Sequence, residues 1–106
     1  MSLKMVPFSL DEFVVDTDGV QEALNHACAR GGTPREVMAV CQVGDNVLFI
    51  LENGAGKPPE YRFVFLQDLT RDGFVSLVNE RYQGGHDPVG TVTVRDSVYV
   101  LFRTSR

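Results

Sequence analysis

The order of local patterns in this 106-residue chain runs through twice, and that order limits the fold more than any single motif does. Asp18-Gly19-Val20 returns as Asp72-Gly73-Phe74, and Gly31-Gly32 returns at nearly the same offset as Gly84-Gly85. The stretch Val-Gly-Asp-Asn-Val-Leu-Phe-Ile-Leu begins at Val43, and Val-Arg-Asp-Ser-Val-Tyr-Val-Leu-Phe begins at Val94, again at a similar offset. Each copy reads as an extended segment, a helix, Gly-Gly, a strand, a tight turn and a strand. Copy one covers about residues 5–53 and copy two about 60–104, joined by a Gly- and Pro-rich linker at 53–60. A chain of this length has room for one core, so residues 1–106 are expected to form a single domain.

The helices follow from spacing. Val20, Leu24, Ala27 and Cys28 fall on one stripe of a 3.6-residue helix, and Phe74, Leu77, Val78 and Tyr82 fall on another. Asp18 is the expected N-cap of the first helix, and Thr70 or Asp72 of the second. Both helices run into Gly-Gly, which suits a left-handed C-terminal cap. Val37–Val43 with Val47–Glu52, and Val89–Val94 with Val98–Arg103, read as hairpins around the three-residue connections Gly44-Asp45-Asn46 and Arg95-Asp96-Ser97. Tyr61–Gln67 is a further strand rich in aromatic and β-branched residues. The region from Met5 to Val15 holds either the strand that opens copy one or, from Ser9-Leu10-Asp11-Glu12, a capping box and short helix.

A tandem β-α-β-β repeat predicts an α+β two-layer sandwich, with a mostly antiparallel sheet and two helices on one face. If Val43 stands opposite Val47, then Ala39, Cys41, Val43, Val47, Phe49 and Leu51 share the face beneath the helices. Val92, Val94, Val98, Val100 and Phe102 form the equivalent set in copy two. The opposite face ought to be polar if it met water, yet it carries Val40, Leu48, Ile50, Tyr99 and Leu101. A sheet apolar on both faces is normally covered on both. These five residues are therefore the expected interface, either with a second copy in a homodimer or with another protein. A barrel-like curl that hides both faces within one chain is the alternative.

Composition narrows the partners. With 14 acidic and 10 basic side chains the net charge is −4, which gives no general affinity for a phosphate backbone. Nucleic acid is therefore not an expected partner. No apolar run is long enough to span a bilayer, and the N-terminus lacks the apolar core and cleavage site of a secretory leader. The expected location is the cytoplasm, with Cys28 and Cys41 reduced and acting as small hydrophobes. Charge is uneven along the chain: residues 1–53 hold 8 acids and 3 bases, whereas residues 54–106 hold 6 acids and 7 bases.

Phe13-Val14-Val15-Asp16-Thr17-Asp18-Gly19-Val20 resembles the first motif of haloacid dehalogenase-type phosphatases. That resemblance implies a nucleophilic Asp16, an acid/base Asp18 and Mg2+ held by both. It covers about eight residues, no later acidic pair completes a metal site, and the chain is too short for the parallel core such an enzyme needs. Gly54-Ala55-Gly56-Lys57 lacks the spacing of a phosphate-binding loop and runs into Pro58. His26-x-Cys28 points two ways on a helix, and His86-Asp87 lies in a turn-like Gly-Gly-His-Asp-Pro segment. No catalytic, cofactor-binding or metal residues are assigned. The function expected from sequence is a small non-enzymatic protein-interaction module that forms a homodimer. The alternative is a small-molecule binder or enzyme with a pocket between the copies, lined by Tyr61, Arg62, Phe63 or His86.

Overall fold

The computed structural model describes residues 3–104. Its elements are β1 (Lys4–Ser9), α1 (Leu10–Val15), α2 (Thr17–Ala29), β2 (Arg35–Val43), β3 (Asn46–Asn53), β4 (Tyr61–Phe65), α3 (Arg71–Gln83), β5 (His86–Val94) and β6 (Ser97–Thr104). Both readings of the N-terminal region are realised. β1 runs to Ser9, and Ser9 with Glu12 then forms a capping box that opens α1.

The strands form two antiparallel sheets of three, ordered β1-β3-β2 and β4-β6-β5. Both halves thus pair their strands in the same order. Each also has a register shift in the strand after its long helix, between Val37 and Ala39 and between Pro88 and Gly90. Each half layers a three-stranded sheet against a helix, a two-layer α+β arrangement. The strands do not merge into one sheet. β2 lies near β5, and there the Gln42 amide bridges the edges: Nε2 donates to Thr93 O, and Thr93 N donates to Oε1, both at 2.8 Å.

Strand phase departs from the sequence expectation for one local reason. Val43 pairs with Asn46 and Val94 with Ser97, so each hairpin turns on two residues, Gly44-Asp45 and Arg95-Asp96. The first residue of each turn has positive φ, +58° at Gly44 and +55° at Arg95, which tight two-residue turns require. Shortening a connection by one residue moves a whole strand's side chains to the other face. Val40 therefore pairs with Phe49 and packs against the core, while Ala39, Cys41 and Val43 turn outward beside Leu48 and Ile50. Val92 and Val94 likewise share a face with Tyr99 and Leu101, not with Val98, Val100 and Phe102.

The main core lies between the two sheets. It joins Val47, Phe49 and Leu51 of the first sheet to Tyr61, Phe63, Val92 and Leu101 of the second, with Phe13 and the predicted stripe of α2 beside them. Phe63 meets Phe13 and Phe49 edge-on, at centroid distances of 4.9 and 5.8 Å. Tyr61 is fully buried, and its hydroxyl oxygen accepts from Val37 N at 2.7 Å. A smaller cluster on the far side of the second sheet packs Leu77 and Val78 of α3 over Val98, Val100, Phe102 and Leu66. The expected stripe of α3 is only partly right, because Phe74 and Tyr82 are exposed and the helix buries no residue fully.

Candidate interaction surface

Among the described residues, no helix lies over the outer face of the first sheet. Leu48 and Ile50 lie at its centre on β3, with Ala39 and Cys41 beside them on β2, all half-buried by strand neighbours. Met5 pairs with Ile50 on one flank and is 58% exposed; Val43 at the hairpin tip is 63% exposed. Met38, at the register shift, is 46% exposed. Glu52 puts a charge at one end, while Glu36, its ladder partner, reaches Arg103 of the second half at 3.7 Å. Three strands at about 4.8 Å spacing and eight residues at about 3.3 Å rise give a face of roughly 14 by 26 Å. That is at the size where an apolar patch on a monomer usually marks a contact site.

The second sheet shows what such a face does when covered. Counted along the ladders, Leu48 and Ile50 correspond to Tyr99 and Leu101, and Met5 to Phe63. Leu101 is fully buried, Phe63 is buried and Tyr99 is half-buried, all within the core between the sheets. Of the five residues expected at an interface, only Leu48 and Ile50 lie on the bare face. Val40 packs against the core because of the strand phase described above, whereas Tyr99 and Leu101 keep the expected face and are covered there by the first half.

Edges offer less to a partner than this face does. β4 is closed by helix side chains: Asn25 Oδ1 accepts from Tyr61 N at 2.6 Å, Asn25 Nδ2 donates to Tyr61 O at 3.0 Å, and Gln21 Oε1 accepts from Phe63 N at 2.9 Å. The fit is geometric. Residues four apart on a helix rise about 6 Å, and residues two apart on a strand about 6.6 Å, so one amide stripe can serve alternate peptide groups. In sequence Asn25 reads as the polar side of α2, and Gln21 as that side and as the capping-box partner of Asp18, a role lost because Asp16 caps the helix; their i, i+4 spacing was the available signal. Pro7 on the outer strand β1 lacks the N–H that strand addition would use.

The chemical candidates have structural roles. Phe13-Val14-Val15 is helical, not a strand. Asp16 rather than Asp18 caps α2, accepting from Gly19 N at 3.0 Å, and a Cβ on Gly19 would collide with that carboxylate. The Asp-x-Asp-Gly string is therefore a helix start. On α3 it is Thr70 that caps, accepting from Gly73 N at 3.1 Å, while Asp68 holds Thr70 in turn; those two hydrogen bonds keep the exposed Asp68 carboxyl below the usual carboxylate range. His26 lies on α2, and His86 and Asp87 lie in β5 instead of a turn. Both cysteines are free. Cys28 is buried, and burial pushes its thiol up to about 11, partly offset by Arg103. Among the described residues no group of three or more His, Cys, Asp or Glu side chains is placed to hold a metal ion. No described helix is long and apolar enough to cross a membrane.

The seam between the halves is filled by Tyr61 and Phe63, while Arg62 is exposed on the other face of β4 and His86 pairs with Thr104. At the hairpin tips a depression of about 430 Å³ lies between Leu10, Val14 and Asp45 of the first half and Val94 and Arg95 of the second. An open groove of about 520 Å³ runs between β4 and α3, with Leu66 and Leu77 below and Asp68, Asp72, Glu80 and Arg81 around it. Comparison of the chain with protein-family models, with curated proteins and with solved structures finds no match.

Proposed function

We propose that this chain is a non-enzymatic, cytoplasmic protein-interaction module, a tandem pair of β-α-β-β units that forms a homodimer through the bare face of its first sheet. The observation that carries this reading is the contrast between corresponding faces. One is apolar and covered within the chain; the other is apolar and open. Burying Leu48, Ile50, Met5 and Val43 against a second copy would remove apolar area from water at about 25 cal/mol per Å². Flexible methionines at Met5 and Met38 suit a face that must adapt to another surface. Closed twofold association is the commonest way for one chain to cover such a patch.

The test is Leu48→Asp or Met5→Glu with sedimentation from 1 to 200 μM. The wild type is expected to pass from monomer to dimer, and the variants to remain monomeric with unchanged circular dichroism. A wild type that stays monomeric throughout would overturn the reading.

A further inference from the structure

The contact inside the chain is directional. The helix side of the first half, with α2, receives the outer sheet face and the β4 edge of the second half. Both surfaces have unpartnered counterparts at the two ends of the molecule, among the described residues. The bare first sheet corresponds to the covered face of the second, down to the matching register shifts. At the other end, α3 corresponds to α2. Each helix has 13 residues, and each opens on a side-chain N-cap, Asp16 in one and Thr70 in the other. With those caps aligned, the buried Val20 and Cys28 correspond to the exposed Phe74 and Tyr82, the latter 64% exposed. Asn25, which clasps the β4 edge, corresponds to Asn79, which is exposed on α3.

We infer that the outer surface of α3 is the docking site for the first sheet of a second copy, a head-to-tail contact that repeats the one between the halves. Tyr82 and Phe74 meet the Leu48–Ile50 face, and Asn79 faces the free edge of β1. The net charge of the halves favours this over packing the first sheet on itself. The first half carries −5 and the second +1, so a head-to-tail contact sets unlike halves together, whereas a face-to-face contact sets −5 against −5. Since the two surfaces lie at opposite ends, one such contact joins a pair and leaves a sheet face free at one end and an α3 at the other. This deepens the self-association proposed above and depends on it.

The experiment uses the full chain with two single variants at strongly exposed sites, Tyr82→Glu and Met5→Glu, each checked for an unchanged thermal transition at low concentration. Sedimentation is expected to show at least tenfold weaker association for each variant alone. Mixing them is expected to restore a 1:1 complex, since one keeps an intact sheet face and the other an intact α3. If Met5→Glu dissociates the protein and Tyr82→Glu does not, the contact is face-to-face, and the α3 inference falls while the self-association reading stands. If both variants dissociate and mixing restores nothing, the directional contact is likewise overturned. A wild type that is monomeric overturns both.

Discussion

α2 and α3 have the same length and the same place in their halves, but α2 buries four residues completely or nearly so and α3 buries none. The difference lies in their surroundings. α2 is flanked by its own sheet and by β4 of the other half, so Leu24 and Cys28 reach zero exposure. α3 has only the second sheet beneath it, leaving Tyr82 and Phe74 in water. A periodic stripe thus gives the direction in which a helix faces. Whether that stripe is buried depends on what the rest of the molecule lays over it.

The largest predicted effect follows from this contrast. Leu24→Ala should destabilise the fold by about 2–5 kcal/mol in urea titration, since it empties a filled core site. Leu77→Ala, half-buried on the sheet-facing side of α3, should cost roughly half as much. Equal losses would mean that α3 is held as firmly as α2. The two asparagines extend the comparison. Asn25→Ala leaves Tyr61 N and O without their amide partner and should cost about 1–3 kcal/mol. Asn79→Ala should leave monomer stability within about 0.5 kcal/mol and weaken association instead.

Much of the fold was legible in the sequence because the helix stripes, the hairpins and the Gly-Gly stops are local. The stripe Val20, Leu24, Ala27 and Cys28 is buried as spacing implied. Strand phase was not legible, since Asn46 and Ser97 can sit in a turn or open a strand with little difference in propensity. That single residue decides whether Val40 or Cys41 faces inward. On the candidate face the same turn residue displaces Val40 and leaves Leu48 and Ile50 where expected. An apolar second face was readable, and Leu48 and Ile50 lie on it, but only three-dimensional packing shows that the first half covers Tyr99 and Leu101. The amide clasp at β4 joins residues far apart in the chain and has no local signature beyond its helical spacing.

Smaller effects sharpen the picture of the shared core. Cys28 and Tyr61 are both raised above their ordinary values, chiefly by burial. The folded state therefore holds these protons more tightly than the unfolded chain does. The stability this contributes is fully present below about pH 9 and falls as the pH climbs toward the value of about 11 for Cys28. Urea midpoints measured from pH 8 to 11 should decline, and less steeply in Cys28→Ala. At the hairpin tip, Arg95→Gly relieves a left-handed backbone conformation and should raise stability by up to about 1 kcal/mol.

The smallest effect concerns charge. Within the chain Glu36 lies 3.7 Å from Arg103, and the corresponding residues at a head-to-tail contact are Asp87 and Glu52, a local repulsion that opposes the favourable net charge of the two halves. Glu52→Arg should then tighten association about two- to fivefold, the size of an exposed ion pair. Unchanged or weaker association would argue against that alignment.

Light scattering on the intact chain, across the micromolar range and at moderate salt, addresses the uncovered sheet most directly. A mass rising from 11.8 kDa toward twice that value is the predicted result. A mass that stays at that of one chain up to several hundred micromolar would contradict the account, because the first sheet would then tolerate water across its whole apolar face.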